Sequence, residues 1–199
     1  SDLEDFKREV IDTRTKKSVT IQNEILRSHQ EVEIANFLYL NNIEYEYEPI
    51  YQYNIQYSHK PYTPDFVIYQ NGKIAYIEHF GITENGKNDR YSQDELEQYK
   101  KAINDKIKLH KQHDTTLIYT FSVYNDGKPL TEHLQEALEV KGFELKPRSN
   151  KEVMELLVAG EENRYVRKLI NLICRFISNF KVNGYNAEEL SLIHISEPT

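Results

Sequence analysis

The chain has 199 residues and a net charge of −7, which argues against a protein that coats DNA through overall positive charge. Hydrophobic residues make up 39%, and 15 tyrosines add ring area that one good-sized domain can bury. The single cysteine, Cys174, excludes an internal disulfide and a multi-cysteine zinc site. It fits a reducing compartment, so we expect a cytoplasmic location. No run of 18 apolar residues occurs, so we expect no membrane partner.

The first part of the chain predicts two helices and a strand. A short helix is expected over Asp2 to Ile11, followed by a polar connector. Ser28 and Glu31 have the spacing of a capping box, which predicts a second helix that runs from Ser28 to near Asn41. Residues 43–47 alternate apolar and acidic side chains, which predicts a strand.

The central stretch YTPDFVIYQNGKIAYIEHF predicts a β-hairpin. Asn71-Gly72 is a strong two-residue turn signal, because both residues tolerate positive φ. The strands are then Tyr62 to Tyr69 and Lys73 to Phe80. Both faces of this hairpin carry apolar side chains, so we expect it to lie at the centre of a sheet and to be buried on both sides.

The remaining chain alternates helices and strands after a loop at residues 81–90. The expected elements are a helix at Gln93–Lys111, a strand at 115–124, a helix at Leu130–Val140, a short strand at 143–147, and helices at Asn150–Ala159 and Arg164–Lys181. The predicted fold class is therefore α/β, with a mixed sheet flanked by helices.

The turn register places Asp65 directly opposite Glu78 at the open end of the hairpin. Like charges that face each other across a sheet are destabilising, and one of the two would normally keep its proton. A divalent cation would compensate both carboxylates. The alternative is that Asp65 only begins a strand after Pro64 and that Glu78 forms a salt bridge.

Hydrolysis of a phosphodiester needs Mg²⁺ or a similar ion to activate water, and it gains from a nearby cation. Mg²⁺ usually keeps several waters, so one or two carboxylates suffice as protein ligands. Lys106 is a candidate for the cation, because it shares a largely apolar helical stripe with Tyr99, Ile103 and His110. Its stem could equally pack on the protein while its ammonium reaches water.

Two motifs carry a family resemblance. Pro64-Asp65-Phe66 followed by Ile77-Glu78-His79-Phe80 resembles the PD-(D/E)XK nuclease superfamily, although Phe80 stands where that motif has lysine. Over roughly Gln22 to Leu190, the chain resembles the nuclease-like domain within UvrD/Rep-type superfamily one DNA helicases, including the helicase IV-like group. The stretches SHQEVEIANFLYLNN, YTPDFVIY, YIEHFGI and TTLIYT carry this likeness.

The resemblance implies a restriction-endonuclease-like mixed sheet with additional C-terminal helices. It implies that Asp65 and Glu78 bind Mg²⁺ or Mn²⁺, that Glu31 assists as a ligand or through a water, and that Lys106 replaces the missing motif lysine. Glu31 shares a helix face with Ile34, Ala35 and Leu38, but it could instead only complete the capping box. The implied partners are DNA and the remaining helicase domains of the same polypeptide.

The resemblance also divides the chain. Residues 1–21 would lead in from the preceding helicase region, 22–147 would form the nuclease-like domain, and 148–189 would continue into the helicase. Residues 190–199, LSLIHISEPT, resemble a translated sequencing adapter. The sequence has no G-x-x-x-x-G-K-[ST] loop, so ATP would be bound only in the full-length helicase.

Two other functions remain open. A domain of this kind could keep the fold without catalysis and act as a DNA- or partner-binding accessory module, and Phe80 favours that alternative. A stand-alone restriction-type enzyme fits less well, because the sequence after Pro147 resembles helicase sequence.

Overall fold

The computed structural model describes residues 2–56 and 58–160, together with Leu172 and Arg175, both helical. The chain divides into two compact units, Ser1–Met154 and Glu155–Thr199. The predicted helix at Arg164–Lys181, apart from those two positions, and the tail at 190–199 lie outside the described residues. The domain boundaries expected after residues 21 and 147 fall within the first unit, and the division into domains stays a prediction.

The described helices and strands follow the predicted order. They are α1 (Asp2–Thr15), α2 (His29–Leu40), β1 (Glu44–Tyr47), β2 (Phe66–Gln70), β3 (Lys73–Thr83), α3 (Gln93–Gln112), β4 (Leu117–Val123) and α4 (Leu130–Val140). Residues 150–160 are also helical, as expected. Within the described residues, no helix combines the length and the apolar character needed to span a bilayer.

The four strands form one mixed sheet in the order β1-β2-β3-β4. β1 pairs with β2 and β2 with β3 in antiparallel fashion, whereas β3 and β4 are parallel. Parallel neighbours need a crossover connection, and α3 supplies it. The predicted α/β class, with a mixed sheet flanked by helices, is confirmed.

The hairpin turn sets the register that the sequence predicts. Asn71 and Gly72 both have positive φ, 50° and 77°, as a tight two-residue turn requires. Gln70 pairs with Lys73, and the ladder continues to Phe66 opposite Ile77. The next pair along this register is Asp65 and Glu78, so the turn determines which residues meet at the open end.

The main core lies between one face of the sheet and helices α2 and α4. Fully buried aliphatic side chains from both helices, among them Ile34, Leu38, Leu134 and Leu138, form one cluster with the inward residues of the hairpin. A smaller cluster of Tyr51, Tyr62 and Leu109 lies apart from it, and Tyr76 packs against it. Since Leu109 belongs to α3, this second cluster positions the C-terminal half of that helix.

Several predicted strand limits are wrong. β2 begins at Phe66 rather than Tyr62, in keeping with the fact that Pro61 and Pro64 have no N–H to donate to a ladder. β3 continues to Thr83 instead of ending at Phe80, because Thr83 still pairs with Val123 of β4 after an irregularity.

Residues 143–147 do not form the expected strand. Their backbone N–H groups form hydrogen bonds outside any strand ladder: Glu144 N donates to the Gln70 side chain, and Lys146 N donates to Asn41 O. Burial of both hairpin faces is also only partly right. Near the turn, Tyr69 and Ile74 on one face are 38% and 54% exposed, whereas Ile68 and Ala75 on the other face are fully buried. Both faces are therefore buried only toward the end that carries Asp65 and Glu78.

Gly72→Ala should lower the free energy of unfolding by about 1–2 kcal/mol. A Cβ at this position meets no atom within 4 Å, so the penalty comes from the positive φ alone. Chemical denaturation measures the change. Gly81→Ala is the control, because the added Cβ would lie 3.9 Å from the Tyr99 hydroxyl, an ordinary contact, without positive φ. Equal effects of the two substitutions would contradict this account of the turn.

Candidate active site

Asp65 lies immediately before β2 and is 7% exposed. Its Oδ2 accepts a hydrogen bond from His79 N at 2.6 Å, which joins it to β3. Its Oδ1 accepts from the Arg27 guanidinium at 3.2 Å. The carboxylate is therefore held across the open end of the hairpin, where the register predicted it.

Glu78 is 1% exposed and projects from β3 on the face opposite to its neighbour Ile77. Its Oε1 accepts from the Tyr62 hydroxyl at 2.7 Å, and its Oε2 accepts from Lys106 Nζ at 2.6 Å. Both carboxylate oxygens thus have partners, one neutral and one cationic. Isolated charges are rarely buried, and these two partners explain how the charged Glu78 side chain can be buried.

Lys106 reaches Glu78 from α3, as its helical stripe suggested. The ammonium bonds to Glu78, and the side chain as a whole is 27% exposed. Its Nζ also lies 5.6 Å from the centroid of the Tyr62 ring. Phe80, at the motif's lysine position, is instead buried next to the rings of Tyr119 and Phe121. Lys106 is thus the cation beside Glu78, and its catalytic role stays a prediction.

Glu31 projects toward the same end of the hairpin. Ser28 caps α2 by accepting a hydrogen bond from Glu31 N at 3.1 Å. The Glu31 carboxylate does not close the capping box on Ser28, because its Oε2 accepts from Arg27 N at 3.1 Å and from the Tyr47 hydroxyl at 2.7 Å. Its charge is close enough to contribute to the raised pKa of Asp65. The structure therefore brings Glu31 to the edge of the site rather than using it only as a cap.

The electrostatics of the pair follow from burial. Desolvation, together with the negative charge of Glu78, raises the pKa of Asp65 to about 7, although the bond from His79 N and the charge of Lys106 act in the opposite direction. One member of the pair therefore holds a proton close to neutral pH, as two facing carboxylates should.

Arg27 is a member of the site that the sequence did not indicate. Its guanidinium lies 2.6 Å from Glu48 and 3.2 Å from Asp65, and its Nε donates to the Tyr47 hydroxyl at 3.2 Å. The side chain remains 61% exposed. Because Arg27 sits in an irregular connector, neither helical nor strand periodicity could have placed it here.

Tyr62 and His110 were also not assigned to the site. Tyr62 is buried and bonds to Glu78, and its hydroxyl lies 3.1 Å from Nε2 of His110. Burial and the charge of Glu78 raise the pKa of Tyr62, so the phenol stays protonated. Burial and the charge of Lys106 lower the pKa of His110 to about 4, so the imidazole is neutral at pH 7. The position of His110 on the Lys106 stripe was the one available signal.

His79 points away from the acid pair, as strand alternation predicts. Its Nδ1 lies 2.9 Å from Thr120 Oγ1 and its Nε2 lies 3.1 Å from Gln30 Oε1. Burial lowers its pKa to about 4. His79 therefore serves Asp65 through its backbone N–H, whereas its ring belongs to the opposite face of the sheet.

The acid pair fits the ligand chemistry of Mg²⁺ in part. In the described ranges, no group of three or more His, Cys, Asp or Glu side chains is placed to hold a metal ion. Mg²⁺ commonly takes only one or two carboxylates and keeps its waters, so Asp65 and Glu78 meet that smaller requirement. Burial and the charge of Glu78 raise the pKa of Asp65, and a bound divalent ion would favour its ionised form. Arg27 and Lys106 are the cations with which it would compete.

No protein-family model matches this chain, and comparisons with curated proteins and with solved structures found no match either. Any functional conclusion therefore depends on the motifs and on the geometry around Asp65 and Glu78.

Asp65→Asn should stabilise the metal-free protein at high pH but not at low pH. The folded-state pKa of about 7 lies above the ordinary 3.8, so the parent loses stability as pH rises between these values. The full loss is on the order of 4 kcal/mol above pH 7, and asparagine, which cannot ionise, escapes it. Thermal melts with EDTA at pH 5 and pH 8.5 measure the difference.

The comparison between the two pH values is the control for the lost hydrogen bonds to Arg27 and His79, since these affect the variant at both. A variant that is less stable than the parent at pH 8.5 would show that ionised Asp65 is a net structural partner.

Proposed function

We propose that this chain carries a metal-dependent nuclease-like domain that hydrolyses DNA phosphodiester bonds. The observation that carries the proposal is the meeting of Asp65, Glu78 and Lys106 at the open end of the hairpin, with Lys106 supplied by α3 where Phe80 cannot act. The mixed sheet with flanking helices supports a restriction-endonuclease-like fold. The motif resemblance to nuclease-like domains of UvrD/Rep-type helicases supplies the substrate class.

Asp65 and Glu78 would hold the Mg²⁺ or Mn²⁺ ion, which supplies an activated water and polarises the phosphate when bound. Lys106 has three ammonium protons, and one of them is used by Glu78. The others can donate to a phosphate oxygen as negative charge develops there. Glu31, at the edge of the site, would accept a hydrogen bond from a water near Asp65.

DNA would approach from the side of α3. Lys100 and Lys101 are exposed on this helix, about one to two turns before Lys106. Such side chains bind phosphates without reading sequence, which is enough to orient a strand. The further partners proposed are the other helicase domains of a longer polypeptide, and ATP would belong to those domains.

A second candidate function is a catalytically inactive accessory module that binds DNA or a protein partner. The observation that favours it is the existing compensation of the two acids. Arg27 pairs with Asp65, and Lys106 with Tyr62 occupies both oxygens of Glu78. A domain with its charges already satisfied in this way can keep the fold without a metal.

A titration of the full chain with Mg²⁺ or Mn²⁺ in the presence of labelled DNA separates the two functions. The nuclease proposal predicts cutting that depends on the ion and is abolished by EDTA. Gel analysis of the DNA reads out cutting, and fluorescence anisotropy reads out binding. DNA binding without cutting under either ion would favour the accessory module, and the Asp65→Asn variant controls for a contaminating nuclease.

Lys106→Met should reduce metal-dependent cutting by roughly a hundred- to a thousandfold, because one preorganised charge is lost. Lys108→Met is the matched control, since Lys108 is exposed and lies about 200° around the same helix. Single-turnover cutting rates measure the effect. Because Glu78 loses its cationic partner, thermal melts must show that the variant is folded, and Lys106→Arg should restore part of the rate. Equal rates for both methionine variants would refute the catalytic role of Lys106.

A further inference from the structure

A buried chain of hydrogen bonds extends from Glu78 into the small aromatic cluster. The Tyr62 hydroxyl lies 2.7 Å from Glu78 Oε1 and 3.1 Å from His110 Nε2. On the other side of the imidazole, His110 Nδ1 lies 2.8 Å from Thr115 Oγ1, and that oxygen lies 2.5 Å from the Tyr51 hydroxyl. Four side chains therefore connect in series to one oxygen of the candidate metal ligand.

The number of available protons determines which group donates in each of these hydrogen bonds. Tyr62 has a single hydroxyl proton but two neighbours that could accept it. Glu78 is paired with Lys106, so it is a carboxylate that can only accept. Tyr62 must then donate to Glu78, and the short contact between Tyr62 and His110 requires a proton on His110 Nε2.

The rest of the chain follows from that assignment. A neutral imidazole with its proton on Nε2 has a free acceptor at Nδ1. The single hydroxyl proton of Thr115 therefore goes to His110 Nδ1 at 2.8 Å rather than to His110 O at 3.3 Å, and the Thr115 oxygen accepts from Tyr51. The opposite direction would use the Tyr62 proton for His110. It would leave two acceptors, the Tyr62 oxygen and Glu78 Oε1, facing each other at 2.7 Å.

We propose that Tyr62 is a positioning residue that fixes the Glu78 carboxylate, and that His110 in its Nε2–H tautomer orients Tyr62. With Tyr62 on Oε1 and Lys106 on Oε2, the carboxylate is held at both oxygens. This role rests on the proposed function in so far as Glu78 binds a metal ion. Groups that orient a metal ligand in this way commonly contribute 10- to 100-fold to metal affinity.

The hydroxyl of Tyr62 has a role that is separable from that of the ring. The ring packs edge-on against Tyr51, and phenylalanine would preserve this contact. A buried hydroxyl is costly unless it is hydrogen-bonded, so a residue needed only for packing would not require it. The hydroxyl therefore serves the carboxylate, and removing it tests the proposal with little change in shape.

The tautomer of His110 is the first test, and it needs no metal. Nitrogen-15 NMR of histidine side chains in the full chain, near pH 7, distinguishes Nε2–H from Nδ1–H. We expect Nε2–H in the parent, with Nδ1–H gaining population in Tyr62→Phe, where Nε2 has lost its acceptor. A parent with Nδ1–H would overturn the proposal, because Tyr62 would then donate to His110 and not to Glu78.

The second test is calorimetric titration of Mg²⁺ alone into the parent, Tyr62→Phe and Tyr76→Phe. Tyr76 is the matched control, because its ring also packs near His110 and Tyr51 while its hydroxyl is not part of this chain. We expect binding about 10- to 100-fold weaker in Tyr62→Phe and unchanged in Tyr76→Phe. Equal affinity of Tyr62→Phe and the parent would overturn the positioning role while leaving the proposed function intact. If the parent binds no metal, the proposed function and this role fail together. The tautomer of His110 would still show whether Tyr62 donates to Glu78 or to His110.

Discussion

The constraint on which this site depends is the burial of two facing carboxylates. A tight turn determines the register, the register brings Asp65 beside Glu78, and burial raises the energy of charging both. Four groups at the open end of the hairpin offset that cost. Arg27 and the backbone N–H of His79 serve Asp65, and Tyr62 and Lys106 serve Glu78.

These four compensating groups come from separate parts of the chain, so the acid pair contacts four different segments of the fold. The connector before α2, the loop before β2, strand β3 and helix α3 each contribute one partner. A buried ion pair is weak support for stability in itself, because desolvation offsets much of the attraction. Under the two candidate functions, the charges would serve either to bind a metal ion or to fix one arrangement of these segments.

The two candidate functions differ in which cations neutralise Asp65 and Glu78. Lys106 is bound closely to Glu78, whereas Arg27 is mostly exposed and shared between Glu48 and Asp65. An incoming divalent ion would therefore displace Arg27 more readily than Lys106. Under the nuclease proposal, Lys106 stays in place beside the ion. Under the alternative, both cations remain and the pair is purely structural.

The sequence by itself determined the features that depend on short-range periodicity. Asn71-Gly72 specified the register, because lengthening or shortening a tight turn by one residue would shift every pair in the ladder. The register in turn brings Asp65 beside Glu78. Helical periodicity likewise placed Lys106 on one stripe with Tyr99 and His110. Strand ends were less predictable, since pairing with a neighbouring strand extended β3 beyond Phe80.

Only the tertiary structure decided which side chains compensate the acids. Arg27 lies 38 positions before Asp65, and Tyr62 lies 48 positions before His110, so no local spacing relates them. The Glu31 carboxylate turns toward the site instead of closing its capping box because Tyr47, which folding brings near, donates to it alongside the local Arg27 N. The physical reason is that a periodic pattern specifies the face on which a side chain lies, whereas its partner depends on how irregular segments pack over that face.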